Sequence, residues 1–178
     1  MAASLACSRV AVPQLTTTRL LLRAWREDDL DDYAAMCADP EVMRFIGSGT
    51  PLDRADSWRW IALTVGHWEL RGFGQWALES RSDGTLVGRA GLWQPEGWPG
   101  LEVGWALARS QWGHGFATEA GQAAIDFAWR SLHASEIISL IQPDNIRSQR
   151  VAGRLGLQLE RRQRLGKADV FVYRRHRD

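Results

Sequence analysis

Apolar positions recur at two periods along this chain, every second residue in some stretches and every third or fourth in others, and the changes of period delimit its elements. Leu15 to Trp25 (LTTTRLLLRAW) is dense in β-branched and apolar residues and predicts a first strand. Glu27, Asp28 and Asp29 then put acids at a helix start, and Leu30, Tyr33, Ala34 and Cys37 follow at helical spacing. Asp39-Pro40 breaks that helix, and Glu41 to Ile46 leaves room for one further turn. Gly47-Ser48-Gly49 forms a joint placed either to gate a substrate or merely to connect. Asp53 to Leu70 predicts a longer helix, with Trp60, Val65 and Trp68 among its apolar residues.

Gly74 to Glu79 and Leu86 to Trp93 predict two strands joined around Asp83-Gly84, a hairpin signal. Leu101 to Leu107 makes the next strand, so the first four strands are expected to form a largely antiparallel sheet. Ala117 to Leu132 predicts a helix on two counts. Glu119, Gln122, Asp126 and Arg130 fall on one polar stripe, with Asp126 and Arg130 an i,i+4 pair worth roughly 0.2–0.5 kcal/mol. Ala117, Ala120, Gly121, Ala124 and Ala128 give a small-residue face for close packing on a sheet. Glu136 to Ile141 is a short buried strand, so strand, helix and strand imply a right-handed parallel crossover. Asp144-Asn145 introduces a helix from Ile146 to Leu155, stopped by Gly156. Gln158 to Arg164 and Val170 to Tyr173 close the chain as a hairpin. The expected organisation is a flexible tail over residues 1–14 and a single domain over residues 15–178.

Composition narrows the classes of function. A net charge of +1 argues against a strongly basic nucleic-acid binder. Cys7 and Cys37 make neither a metal spacing nor a disulfide framework, so no metal is expected and a reducing cytoplasm is. Met1 to Val12 holds no sustained apolar run, and no stretch reaches membrane-spanning length, so neither a signal peptide nor a membrane partner is expected.

The most informative stretch is Trp112 to Ala120 (WGHGFATEA), between a strand and a helix. Two glycines in close succession let the backbone approach a ligand, and the free amides of a helix start are suited to phosphate. A P-loop needs a lysine and a hydroxyl after its last glycine, where this chain has Phe116 and Ala117. A dinucleotide fold needs a third glycine where Thr118 stands, and antiparallel strands before the only crossover fit a doubly wound sheet poorly.

The order of elements and the segment Trp105 to Ala120 (WALARSQWGHGFATEA) resemble the GCN5-related N-acetyltransferase (GNAT) superfamily. Within it the chain is similar to the RimJ/RimL-like, ribosomal-protein N-terminal acetyltransferase branch. Supporting motifs are Thr18 to Arg23 (TRLLLR), Gly88 to Leu92 (GRAGL), and Asn145 to Ser148 (NIRS) with Gly156-Leu157. One departure is Trp112, where the superfamily often has Arg or Gln. The resemblance implies an α/β GNAT fold: a mixed, mostly antiparallel seven-stranded sheet with a parallel strand–helix–strand crossover at the cofactor site, flanked by about four helices. It also implies an N-acetyltransferase enzyme with acetyl-CoA as donor. Trp112, Gly113, His114, Gly115, Phe116 and Ala117 would wrap the pyrophosphate, with Thr118 opening the helix. Trp105, Ala106 and Leu107 would line the pantetheine arm. Asn145 would either reach the cofactor or merely cap its helix. Arg147, Arg150 and Arg154 would meet the 3′-phosphate or form a solvated face.

Acetyl transfer to an amine by direct attack needs a proton acceptor for the amine and a hydrogen-bond donor for the departing thiolate. Many members of the superfamily supply that donor from a tyrosine seven residues after the asparagine, where this chain has Ala152. Ser148, matching a serine of the RimJ/RimL-like branch, is the replacement candidate, or else a first-turn residue satisfying amides. Glu102 is the candidate base, and its replacement by Gln is expected to cost most turnover at low pH. His114 is expected to touch cofactor rather than titrate, and His67 and His133 show no partner. An α-amine with pKa near 8 is roughly one-tenth neutral at pH 7, against about 0.04% for a lysine amine. The expected acceptor is therefore a protein or peptide N-terminal α-amine, with small-molecule amines and a non-catalytic acyl-CoA-binding role as alternatives. A homodimer is left open.

Overall fold

A computed structural model of the chain describes residues 11–166 and 168–177. The first apolar run folds as two strands, β1 (Leu15–Thr16) and β2 (Leu20–Arg23), paired antiparallel. Thr17 makes the turn: its amide donates to the Leu20 carbonyl at 2.9 Å and its hydroxyl accepts from the Leu20 amide at 2.9 Å. Three helices follow: α1 (Leu30–Cys37), α2 (Pro40–Met43) and α3 (Arg54–Arg71). Asp39 and Asp53 cap α2 and α3 through backbone amides of Glu41 and Asp56. Gly72, at φ 73°, ends α3. Strands β3 (Gln75–Ser80) and β4 (Leu86–Trp93) form the expected hairpin, and β5 (Glu102–Leu107) pairs with β4. Helix α4 (Phe116–Arg130) crosses to β6 (Glu136–Ile141); α5 (Ile146–Arg154), β7 (Gln158–Leu165) and β8 (Ala168–His176) complete the chain.

The eight strands run in the order β1-β2-β3-β4-β5-β6-β8-β7, antiparallel throughout except for β5 with β6. The mixed, mostly antiparallel sheet with one parallel crossover is the expected one. It has eight strands instead of seven because Thr17 divides the first run. The short segment after Pro40 supplies a fifth helix, α2. Among the described residues, no helix is long and apolar enough to cross a membrane. Of the tail expected over residues 1–14, residues 1–10 lie outside the described residues, and the Trp76 indole donates to the Pro13 carbonyl at 2.8 Å.

Successive strand residues face opposite sides of a sheet, and the packing follows that rule. Val87 and Leu107 join the cluster under α4, whereas Leu86 and Ala106 join the cluster under α1 and α3. Ala120, Ala124 and Ala128 of α4 are fully buried, so the small-residue face does pack closely. A methyl at Gly121 would come within 2.8 Å of Leu155 Cδ1, which brings α5 hard against α4. On the polar stripe the expected Asp126–Arg130 pair is not the one formed. Asp126 accepts from Gln122 Nε2 at 2.8 Å, one turn earlier on the same helix.

Candidate active site

β5 and β6 meet at one registered pair, Glu102 opposite Ile138, with the Ile138 amide donating to the Leu101 carbonyl at 2.9 Å. In a continuing parallel ladder the next amide, Leu140, would meet the Val103 carbonyl. It donates instead to Glu102 Oε1 at 3.3 Å. The carboxylate thus stands at the fork where the two strands part. The Ala108 amide donates to the Val87 carbonyl at 3.0 Å, so even-numbered residues of β5 turn their backbone groups toward β4 and odd-numbered ones toward the gap. Trp105 and Leu107 therefore present backbone to the open side, while Ala106 packs under α1. The Leu107 carbonyl already accepts the Trp112 indole N–H at 3.0 Å.

Beyond β5 a single 3-10 turn (Arg109–Gln111) leads into the glycine pair. Gly113 and Gly115 lie at φ 83° and 82°, a region costly for any residue with a Cβ. The amides of Phe116, Ala117 and Thr118 precede the first backbone bond of α4, Glu119 N–H to the Gly115 carbonyl at 3.0 Å, and have no acceptor within the helix. The Thr118 hydroxyl is buried without a hydrogen-bond partner among the described residues. A run of donor amides with an orphaned hydroxyl at a helix N-terminus fits a diphosphate. His114 is exposed, its ring 5.9 Å from that of Phe116. Arg147 stacks over Trp112 at 4.4 Å, while Arg150 and Arg154 are exposed on α5.

Sequence reasoning missed the residue that holds this loop. Arg19 donates through Nη1 to the His114 carbonyl at 2.8 Å and stacks over Phe116 at 4.6 Å. Its Nε donates to Glu119 at 2.7 Å, and Glu119 also accepts from the Thr17 hydroxyl at 2.6 Å. Those hydrogen bonds and the Arg19 charge hold the Glu119 carboxyl below its ordinary pKa, against an opposing desolvation.

Glu102 is the most perturbed acid near the fork. Desolvation pushes its pKa up to about 7, and hydrogen bonds from the Trp98 indole (2.7 Å) and the Leu140 amide, with the Arg89 charge, partly offset the rise. Across the gap, Asn145 caps α5, its Oδ1 accepting from the Ser148 amide at 3.2 Å. The cap engages the oxygen of Asn145. Its Nδ2 donors play no part in the cap, and Ser148 sits half-buried in the first turn.

A sequence profile described as the acetyltransferase (GNAT) domain matches residues 19–158. The chain belongs to the GNAT acetyltransferase family. An acetyltransferase from Agrobacterium tumefaciens str. C58 is 29% identical, with 94% of this chain and 96% of that one covered and a TM-score of 0.84. The uncharacterized protein YkkB of Bacillus subtilis (strain 168) is 29% identical over 93% of this chain and 96% of its own length. RimL, a ribosomal alpha-N-protein acetyltransferase solved in complex with coenzyme A, is 17% identical with a TM-score of 0.78, covering 92% of this chain and 98% of that one. At that identity it shows the fold alone.

In this acetyltransferase the face of β4 and β5 under α1 and α3 carries a second group of side chains unmarked in the sequence. Arg89, only 6% exposed, donates to the Tyr33 hydroxyl at 3.2 Å and to Gln75 Oε1, and lies over the Trp60 ring at 4.6 Å. Trp60 and Trp93 approach to 5.7 Å. The Trp25 indole N–H is buried without a partner among the described residues, its ring 4.8 Å from that of Tyr33. His67, for which the sequence offered no partner, has two. The Gln94 amide donates to Nε2 at 3.1 Å, so Nδ1 carries the proton and donates to the Phe73 carbonyl at 2.8 Å. Burial lowers its pKa, and the ring stacks on Trp93 at 4.4 Å as a neutral structural group. His133 is exposed, at φ 53°. Among the described residues no cluster of His, Cys, Asp or Glu could hold a metal ion.

Proposed function

We propose that residues 15–178 form one cytoplasmic N-acetyltransferase domain that moves the acetyl group of acetyl-CoA to an α-amine, of a peptide N-terminus or of a small amine of similar basicity. The parting of β5 from β6 with Glu102 at the fork carries this reading. Residues 112–118 would hold the pyrophosphate, and Trp105, Ala106 and Leu107 would line the pantetheine arm, with the gap-facing Trp105 backbone and the Leu107 amide free to pair with it. When bound, acetyl-CoA supplies a thioester with an electrophilic carbon and a thiolate that leaves. The amine nitrogen bonds to that carbon as the C–S bond breaks. Glu102 takes the amine's proton, directly or through a water, and passes it to solvent while the thiolate is protonated. Ser148 donates a hydrogen bond to the departing sulfur. The Asn145–Ser148 pair supports a place beside the RimJ/RimL-like branch.

A pKa of about 7 suits a base that must be ionised near neutrality yet strong enough to accept a proton. An amine with pKa near 8 lies about one unit above it, a lysine amine more than three. The test is thiol release from acetyl-CoA with N-terminal peptides, amino acids, polyamines and aminoglycosides. Release with an α-amine is expected. CoA binding without release on any amine would favour an acyl-CoA-binding module instead.

A further inference from the structure

Arg89 is a buried cation that touches no carboxylate among the described residues, although the Glu102 carboxyl on the same face of the sheet feels its charge. Its partners, the Tyr33 hydroxyl, the Gln75 carbonyl oxygen and the Trp60 ring, are all neutral, and among the described residues it forms no ion pair. The other arginine buried among the described residues, Arg23, pairs with both Asp29 and Glu79. Burying a guanidinium without a carboxylate is costly, and the two hydrogen bonds use two of its five N–H donors. The Trp25 indole, against the same Tyr33, is a further donor without an acceptor among the described residues.

The group lies on the reacting side of the sheet. Residues 102, 104 and 106 of β5 share one face, and Gly104 lies between Glu102 and the Gln75 amide. A Cβ built on Gly104 would sit 3.7 Å from Gln75 Nε2, with no other atom within 4 Å, so the sheet is open there. Arg89 reaches this spot from β4 through Gln75.

We propose that Arg89 anchors a carboxylate on the acceptor, which makes the acceptor an amine with a negative charge close to its reactive nitrogen. A guanidinium fork matches a carboxylate bidentately, and one fixed cation balances one negative charge. Trp60, over which Arg89 lies, and Trp93, 5.7 Å from it, supply aromatic surface beside the guanidinium. A polyamine or aminoglycoside would set further positive charge against a buried one, a juxtaposition that suppresses wrong partners. The inference rests on the proposed transfer at Glu102 and names its acceptor.

The test compares acids with their own amides. Free amino acids are set against amino-acid amides, and peptides beginning with Asp or Glu against those beginning with Asn or Gln. Acceptors are matched by concentration of neutral amine, and each is measured by kcat/KM and by tryptophan fluorescence titration of the CoA complex. The acid should exceed the amide by roughly 10²-fold in one series, which also tells whether the carboxylate belongs to the amine's own carbon or to a first side chain. Arg89→Met should collapse that ratio to near unity, and Arg89→Lys should keep part of it. Equal rates and equal affinities for acid and amide in wild-type protein in both series would overturn the proposal, whatever the variants do. Tighter binding of the acid without turnover on any amine would uphold the anchor and remove the transferase reading. Turnover without acid preference would do the reverse.

Discussion

Glu102 joins two structural roles to a proposed chemical one: it closes the last rung between β5 and β6, it holds the Trp98 indole, and in the proposed transfer it would take the amine's proton. Its pKa of about 7 reverses the expectation that Glu102→Gln costs most at low pH. Below pH 7 the wild-type carboxyl is itself protonated and cannot act as base, so the deficit should be greatest above it. Pre-steady-state or kcat/KM profiles should show a loss of about 10²-fold or more at pH 8, shrinking toward pH 6. Stability should move the other way. The folded pKa is raised above the unfolded value, so the folded state holds a proton that the unfolded chain releases between about pH 4.5 and 7, and stability falls as pH rises through that window. The shift corresponds to roughly 3 kcal/mol at pH 8, less about 1 kcal/mol for the hydrogen bond that Gln cannot reproduce. Thermal melts should show the variant at least as stable as wild type at pH 8, with no such advantage at pH 5. Glu102 was legible as a position because a lone acid interrupts an apolar strand. Its titration was not, because the groups that bury it lie on the preceding turn and, in Leu140, 38 positions away along the chain. Arg89 was hidden for the same reason. In a strand it looks like an outward polar residue, and only the fold brings Tyr33, 56 positions distant, to its guanidinium.

At the scale of elements, the loop between β5 and α4 was the most legible part of the molecule. Its glycines, its helix-start residues and its flanking periods are all local signals, and φ angles of 83° and 82° at Gly113 and Gly115 satisfy them. The brace that fixes it is not local, since Arg19 arrives from the bend before β2 across 95 positions. Two substitutions separate conformation from bracing. Gly115→Val forces a branched side chain into the left-handed region and should cost about 1–3 kcal/mol of stability, with at least tenfold weaker CoA binding by calorimetry. Arg19→Ala removes a charged hydrogen bond to the His114 carbonyl and should weaken CoA about tenfold through the loop's position. Unchanged affinity in both would take the pyrophosphate away from this loop. The polar stripe of α4 taught the opposite lesson. Spacing placed Asp126 beside both Arg130 and Gln122, and rotamer choice, which spacing does not encode, gave it to Gln122.

Across the whole molecule, strands β1 to β5 and strands β6 to β8 are joined within the sheet by one registered pair, and α4 and α5 pack across the join. A ligand that fills the gap adds contacts to both halves, so CoA should stabilise the fold by mass action, about 2.7 kcal/mol at a hundred times its Kd. Melting temperature should climb with CoA concentration, and amides 113–118 should slow in hydrogen exchange. A flat titration would contradict a site at the fork. The alternation of strand and helix periods made this architecture readable, down to the single parallel pair. What it could not show was that the pairing stops after one rung, because a side chain rather than a backbone carbonyl takes the Leu140 amide.

The Trp112 indole on the Leu107 carbonyl has a metric consequence. The gap-facing edge of β5 would offer carbonyls at Val103, Trp105 and Leu107, and the last of these is already engaged by the residue that opens the glycine loop before α4. Only the first two remain, about 7 Å apart along the strand. In the proposed complex the cleft would therefore act as a gauge: an arm anchored at the loop would find the Trp105 carbonyl alone before the fork, and an arm too short or too long by one amide spacing would present its reactive end off the mark.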